Sequence, residues 1–380
     1  MRSALVNGRI LGPAGVVAGQ VLLLEDGRIE ALVGIDDARV TGARTVDLNG
    51  QLLVPGFIDI QVNGGGGVLF NDDPSVEAIR VIGAAHRRFG TVGFLPTVIS
   101  DDLATIGRAI AAVQAAIDDG VAGVLGIHIE GPYLNDARRG IHESRHLRAL
   151  EASALPLLCS LRGGRTLVTL APERTTPELI GALSRAGVIV AAGHSNATYA
   201  QTQGAIRGGL RGFTHLYNAM SPLLPRAPGV VGAALYDQTT WCGIIVDGHH
   251  VDPVVLKIAL RCKRHDRFML VTDAMPTVGS EQRSFVLQGR HIDVVDGVCR
   301  DAQGTLAGTA LDMATAVRNA TQLLELSLPD AVHMASAYPA QFLRLDDELG
   351  TLAPGSRASL ALLDGQLRVT RTWIDGRPSD

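Results

Sequence analysis

Both ends of the chain alternate apolar and polar residues, a period of two that indicates half-buried β-strands. The alternation covers residues 1–54 and returns over residues 345–380. Its turns are marked by Asn-Gly or Asp-Gly dipeptides, the usual hairpin turn residues, at Asn7-Gly8, Asp26-Gly27, Asn49-Gly50, Asp364-Gly365 and Asp375-Gly376. We predict that the two ends pair to form one small β-sandwich domain.

Between the ends, residues 55–344 change to short continuous apolar runs separated by helix-like segments. Such runs are typical of strands buried in a parallel sheet. The candidate strands are 52–60, 92–98, 121–129, 166–171, 187–192, 211–215, 241–246 and 267–272. Ala- and Leu-rich stretches between them, such as 75–89, 103–118 and 177–186, predict helices. The alternation predicts an α/β fold with a TIM-like (β/α)8 barrel.

Composition narrows the class of protein. The 380 residues are 46% hydrophobic and 19% charged, the balance of a folded protein. The net charge is −4 and no basic run occurs, so we expect no nucleic acid and no membrane surface as a partner. Polar residues and glycines interrupt the apolar positions near residue 1, so we expect no secretory leader, and no apolar run reaches membrane-spanning length. The four cysteines form no Cys-x-x-Cys pair. We therefore expect a cytoplasmic protein.

Polar residues of metal-binding type follow several of the predicted strands. They are His128 and Glu130, His194, His215, Asp247 with His249 and His250, and Asp273. A single His after a strand is more often a hydrogen-bonded core residue than a ligand. In a TIM barrel, however, the carboxyl ends of the strands meet at one mouth. Several ionisable groups buried there cost free energy unless a metal or a substrate pairs with them.

Glu130, His194 and His215 form a set of one carboxylate and two imidazoles. Three protein ligands leave an open position for water, as in catalytic zinc sites. A metal held there would lower the pKa of a bound water to about 7. Asp273, on the last predicted barrel strand, would accept the proton of that water and later protonate a leaving amine.

The first predicted barrel strand runs through "PGFIDIQVNGGGG" and ends with two amides. Many metal-dependent hydrolases carry His-x-His here, whereas this chain has Gln61 and Asn63. Amides are poor ligands, and the two lysines, Lys257 and Lys263, lie in a helix-like segment where neither can bridge two metals. We predict one metal, with both amides facing the site in place of further imidazoles.

With these residues assigned, the chain resembles the N-acetylglucosamine-6-phosphate deacetylases of the amidohydrolase superfamily. The blocks that carry the resemblance run in order from about residue 50 to residue 364. They are "PGFIDIQVNGGGG", "GIHIEGPYLN", "RRGIH", "AAGHSNATY", "FTHLYNAM", "DGHHVD", "LVTDAMP", "GTLAGTALDMATAVRN" and "LGTLAPGSRASLALLD". Any one block is weak evidence, but the combination is specific.

The resemblance implies roles for individual residues. Its metal ligands fall on Glu130, His194 and His215, and its acid/base aspartate falls on Asp273. His142, in "RRGIH", matches a histidine that contacts the substrate and polarises the amide carbonyl. The ligand set suits one divalent metal ion per subunit, with zinc expected first and iron, manganese or cobalt as alternatives.

The resemblance also implies a site for a sugar phosphate. The hydrogen-bond donors that hold this phosphate in the family correspond here to the side chains of Arg226 and His250 and to the backbone amides of Asn218 and Ala219. A guanidinium and fixed amides are suitable donors for phosphate oxygens. The family is typically dimeric, so we expect a homodimer in which some phosphate contacts come from the neighbouring subunit.

The implied reaction is hydrolysis of the acetamide of N-acetylglucosamine 6-phosphate to glucosamine 6-phosphate and acetate. Three alternatives stay open, because one fold hosts many functions. The substrate could be N-acetylgalactosamine 6-phosphate or another acyl-amino compound. The chain could be a sugar-phosphate binding protein without catalysis. Its histidines could also be core residues of a structural barrel.

Overall fold

The computed structural model describes residues 2–12 and 15–379. The chain begins with seven short strands that follow the predicted alternation. They are β1 Ser3–Val6, β2 Arg9–Gly12, β3 Gly15–Ala18, β4 Gln20–Glu25, β5 Arg28–Gly34, β6 Arg44–Asp47 and β7 Leu52–Pro55.

The middle of the chain forms an eight-stranded parallel sheet that closes into a barrel. A short hairpin, β9 Gly64–Gly65 and β10 Val68–Leu69, follows its first strand. In order around the barrel the strands are β8 Phe57–Val62, β11 Thr91–Ile99, β12 Gly126–Glu130, β13 Arg165–Leu170, β14 Ile189–Ala192, β15 Gly212–Phe213, β16 Trp241–Ile244 and β17 Phe268–Leu270. Closure comes from a parallel bridge between Val62 and Ala274, just after β17. The predicted (β/α)8 barrel is confirmed.

Two predicted strands had wrong boundaries. The predicted strand 121–129 begins only at Gly126, as β12. The run 52–60 is two strands, because β7 pairs in the small domain and β8 in the barrel. They are separated by Gly56, where a Cβ atom would lie 2.3 Å from Val92 Cγ2. Only glycine fits at this close approach, and the chain passes there from one sheet to the other.

Helices alternate with the barrel strands and cover them. Several begin at side-chain caps; Asp102, for example, accepts from the Thr105 N–H at 2.6 Å. They are α1 Val76–Arg87, α2 Leu103–Asp118, α3 Leu155–Leu158, α4 Pro177–Arg185, α5 Tyr199–Gly208, α6 Gly229–Tyr236 and α7 Pro253–Cys262. Among the described residues, no helix is long and apolar enough to cross a membrane.

A four-stranded antiparallel sheet, missed in the sequence, is inserted after β17. Its strands are β18 Ser284–Leu287, β19 Arg290–Val295, β20 Val298–Asp301 and β21 Leu306–Thr309. The insert packs over the barrel mouth through a buried cluster that joins Leu287 and Ile292 to Ile99 and Ile141. Three further helices then complete the barrel: α8 Met313–Gln322, α9 Leu328–Ala335 and α10 Ala337–Leu343.

The chain ends in strands β22 Leu360–Leu363, β23 Val369–Ile374 and β24 Arg377–Pro378, which return to the N-terminal strands. One sheet has the order β5-β4-β1-β6 and the other β24-β23-β22-β7-β2-β3. Leu5 and Leu22 of the first sheet share a core with Leu53, Leu360 and Trp373 of the second. The small β-sandwich built from both chain ends is therefore confirmed, whereas its boundaries at 1–54 and 345–380 stay a prediction.

Candidate metal centre

The three predicted metal ligands lie at the carboxyl ends of neighbouring strands. Glu130 is the last residue of β12, and His194 and His215 each follow a strand by two residues. Both histidines have positive φ, 48° and 32°, an uncommon backbone conformation that occurs where a functional side chain must be aimed. Glu130 Oε1 lies 3.2 Å from His194 Nε2 and 2.9 Å from His215 Nε2. The two Nε2 atoms are 3.0 Å apart.

These side chains present lone pairs to one point. His194 Nδ1 lies 2.9 Å from the Arg138 carbonyl oxygen, which can only accept a hydrogen bond. The proton of neutral His194 is therefore on Nδ1, and Nε2 is free to coordinate a metal. Burial alone would raise the pKa of Glu130, but the adjoining rings of His194 and His215 outweigh burial and hold it well below its usual value. A carboxylate and two imidazoles in this arrangement fit a divalent metal.

The side-chain amides of Gln61, in β8, and of Asn63, directly after it, hold Asp273. This residue follows β17, has a φ of +53°, and is half-buried. Its Oδ1 accepts from Asn63 Nδ2 at 2.7 Å and from Gln61 Nε2 at 3.1 Å. Gln61 Nε2 is also 3.1 Å from Glu130 Oε2. Burial, with the Glu130 charge second, raises the pKa of Asp273 to about 6, close to the value that suits a general base at neutral pH.

Asp59, which sequence reasoning did not single out, fastens the segment that carries Asp273. It is fully buried and accepts hydrogen bonds from the backbone and hydroxyl of Thr272 and from the Gln61 N–H. On the other side, Thr309 N–H donates to the Asp273 carbonyl at 2.9 Å. Burial raises the pKa of Asp59 to about 7. The available sequence signal for Asp59 was a carboxylate in the middle of a buried barrel strand, two residues before Gln61.

His142 lies in the long loop after β12, beside the three ligands. Its Nδ1 accepts from the Ser100 backbone N–H at 3.3 Å and is 2.8 Å from Ser100 Oγ. A backbone N–H can only donate, so the proton of neutral His142 is on Nε2. Burial, and then the neighbouring His194 ring, lowers the pKa of His142 to about 3. His142 is thus a neutral ring with one N–H to donate.

A cavity of about 350 Å³ unites most of the predicted site residues. The insert contributes Leu287, Thr305, Leu306 and Gly308 to its wall. The sequence-predicted residues that line it are Asn63, Glu130, His142, His194, His215, Asn218, Ala219, His250 and Asp273.

The remaining sequence-predicted residues lie elsewhere. Arg226 does not line this cavity; it lies on an exposed loop that runs from residue 222 to residue 228. His128 is a core residue, with its Nε2 2.7 Å from Thr169 Oγ1, and His249 is exposed. Gln61 lies just beneath the cavity, bonded to Glu130 and Asp273.

Similar proteins share the whole architecture. Over 329 residues, 87% of this chain and 83% of the relative, it is 47% identical to an N-acetylgalactosamine-6-phosphate deacetylase of Shewanella sp. (strain ANA-3). It is 36% identical to an N-acetylglucosamine-6-phosphate deacetylase of Haemophilus influenzae, with 99% of both chains covered. The crystal structure of N-acetylglucosamine-6-phosphate deacetylase from Pasteurella multocida superposes with a TM-score of 0.96 at 36% identity, covering 100% of both chains.

The model of the Amidohydrolase family matches residues 52–378, which include the barrel and every residue of the candidate site. This is a family of metal-dependent enzymes, in agreement with the possible metal site at Glu130, His194 and His215. The chain belongs to the amidohydrolase family.

Proposed function

We propose that the protein hydrolyses the acetamide of N-acetylglucosamine 6-phosphate to glucosamine 6-phosphate and acetate. One observation carries the proposal: a carboxylate, two imidazoles and Asp273, whose pKa is raised, converge in one cavity. Relatives that match nearly the full chain are deacetylases of N-acetylated amino-sugar phosphates. A binding protein without catalysis would not need a base beside a metal.

One divalent metal ion would be held by Glu130, His194 and His215. Zinc is the metal that we expect, with iron, manganese or cobalt as alternatives. Bound there, the ion would polarise the acyl carbonyl and lower the pKa of water. Asp273 would take a proton from this water on its Oδ2 atom, because its Oδ1 atom already accepts hydrogen bonds from Gln61 and Asn63. The same carboxyl group would then give the proton to the leaving amine.

His142 would stabilise charge on the amide oxygen. Its neutral ring carries the proton on Nε2, and hydrogen-bond donors fixed before the reaction are effective where negative charge develops. With its pKa near 3, His142 does not become charged at neutral pH.

The phosphate would bind at the far end of the cavity. His250 is oriented there by Asp247, whose Oδ2 lies 2.6 Å from His250 Nδ1, so Nε2 is left for the ligand. Asn218 and Ala219 also line the cavity. The Asn218 N–H donates to the His215 carbonyl oxygen at 3.0 Å, so a phosphate oxygen would share this N–H and use that of Ala219. Together they offer donors to phosphate oxygens.

We assign Arg226 to the phosphate site of a second copy of this chain in a homodimer. Arg226 is outside its own cavity, and large apolar side chains are exposed on the same surface; Leu223 is 56% exposed and Tyr236 is 75% exposed. Exposed apolar side chains grouped on one surface are typical of a site that packs against another chain. Mixing Arg226→Ala chains with Asp273→Asn chains tests this assignment: activity should return in mixed dimers if Arg226 crosses the interface, and should stay absent if it acts in its own chain.

The second candidate substrate is N-acetylgalactosamine 6-phosphate, which is favoured by the relative that is 47% identical. Acetate release should be compared on the two phosphorylated epimers and on the same two sugars without phosphate. We expect kcat/KM to be much higher with phosphate present. Equal rates without phosphate would contradict the phosphate assignment, and no acetate from any of the four, with metal supplied, would favour a binding protein. We propose the cytoplasm as its location, in keeping with four free cysteines.

A further inference from the structure

The turn between β18 and β19 carries an unusual residue. Leu287 and Arg290 are the closing pair of this two-residue turn, and Gln288 and Gly289 both have positive φ, 49° and 82°. This conformation matches a type I′ turn, in which Asn, Asp or Gly is preferred at the first position. Gln is not among the preferred residues, because its side chain is too long to hydrogen-bond its own backbone locally.

The other turns of the chain follow the preference. Within the described residues, four further residues of positive φ directly precede a glycine of positive φ: Asp26, Asn49, Asp296 and Asp375. Asp296 lies in the same insert, between β19 and β20. Asp26, Asp296 and Asp375 lie in two-residue hairpin turns as Gln288 does, whereas Asn49 joins β6 and β7, which do not pair with each other. A disfavoured residue at one of these four hairpin turns points to a function for its side chain.

The side chain of Gln288 connects the insert to two barrel loops. Its Nε2 donates to the Ser100 carbonyl at 2.6 Å. Its Oε1 accepts from the Glu143 backbone N–H at 3.2 Å. Both partners are next to His142: Glu143 follows it in the chain, and Ser100 donates its own N–H to His142 Nδ1. Gln288 therefore fixes the two segments that set the position and tautomer of His142.

We propose that Gln288 is a positioning residue for the reaction, acting through Ser100 and Glu143 on His142. The inference rests on the proposed function, because it gives His142 a role toward the amide oxygen. The insert then contributes to the site in two ways. Leu287 forms part of the cavity wall, and Gln288 holds the loop of His142 against the barrel. Misplacement of a reacting group by about 1 Å can cost about 100-fold in rate.

Gln288→Asn separates this role from a structural one. Asn suits the turn better than Gln, but its side chain is shorter by about 1.5 Å, one carbon–carbon bond. The amide can then no longer reach both partners within hydrogen-bond distance. We expect an unchanged or higher melting temperature together with a fall in kcat of about 10- to 100-fold. Asp296→Ala, at the exposed turn of the same insert, is the matched control and should leave kcat unchanged.

Hydrogen exchange of the Glu143 amide provides a readout that does not depend on turnover. In the wild type this N–H is bonded to Gln288, and in Gln288→Asn it should exchange faster, whereas the control should show no change. Wild-type kcat in Gln288→Asn, or an unaltered exchange rate at Glu143, would overturn the proposal. If the wild type released no acetate, the proposed function would fail, while exchange at Glu143 would still decide whether Gln288 holds this loop.

Discussion

Asn63→Ala tests how the first barrel strand controls Asp273. The substitution removes one of the two amide donors on Oδ1, the bond of 2.7 Å from Nδ2. Hydrogen bonds to charged groups contribute about 1.5–3 kcal/mol. Because this bond stabilises the ionised carboxylate, its loss raises the pKa of Asp273, and at about 1.4 kcal/mol per unit the rise is about 1–2 units.

The consequence can be worked out from the starting value of about 6. A general base must be deprotonated, so activity is lost as the pH falls through the pKa of Asp273. The midpoint of this loss, the acid limb of the pH profile of kcat/KM, should move from about pH 6 to about pH 7–8. At pH 7 the ionised fraction would fall from about nine-tenths to between one-half and one-tenth, a loss of about 2- to 10-fold in kcat/KM. Near pH 9 the rate should return toward that of the wild type.

The assay is the pH dependence of kcat/KM for acetate release, with metal content measured on the same sample. Asn7→Ala is a matched control, since Asn7 Nδ2 donates to Asp47 at 2.9 Å in the small domain, far from the cavity. It should lower stability without moving the acid limb. An acid limb that stays in place in Asn63→Ala, in protein that is folded and metal-loaded, would refute the reasoning.

The remaining predictions concern the base and the segment that carries it. Asp273→Asn should lower kcat by about 10²- to 10⁴-fold while the fold and the metal content are retained; near wild-type turnover in steady-state assays would rule out Asp273 as the base. Asp59→Ala should lower the free energy of unfolding by about 1–3 kcal/mol for each Thr272 donor left unpaired, measured by urea denaturation. A midpoint equal to that of the wild type would mean that Asp59 does not hold the Asp273 segment.

The sequence predicted the parts of the molecule that follow strong periodic patterns. Continuous apolar runs predicted the barrel strands. Polar residues at the ends of these runs predicted that Glu130, His194 and His215 would lie close together, as they do, because parallel strands end at one mouth. The split at Gly56 could not be read from hydrophobicity, since the apolar run continues through it. The division is seen only in the structure, where β7 and β8 pair in different sheets and Gly56 approaches Val92.

The insert was missed for a different reason. Its strands alternate in the usual way, but they follow the last barrel strand, where the pattern of β-then-α units had already been completed. The roles of Asp59 and Gln288 depend on partners more than 140 residues away in sequence, Thr272 for the first and Ser100 and Glu143 for the second. Neither partnership has a local sequence signal.

The central claim is that Glu130, His194 and His215 hold a single catalytic metal. The most direct measurement is metal content per chain, determined together with acetate release, before and after the metal is removed and restored. The account predicts one equivalent of divalent metal per chain and activity that disappears and returns with it. Two equivalents per chain, or full activity in protein free of metal, would contradict it.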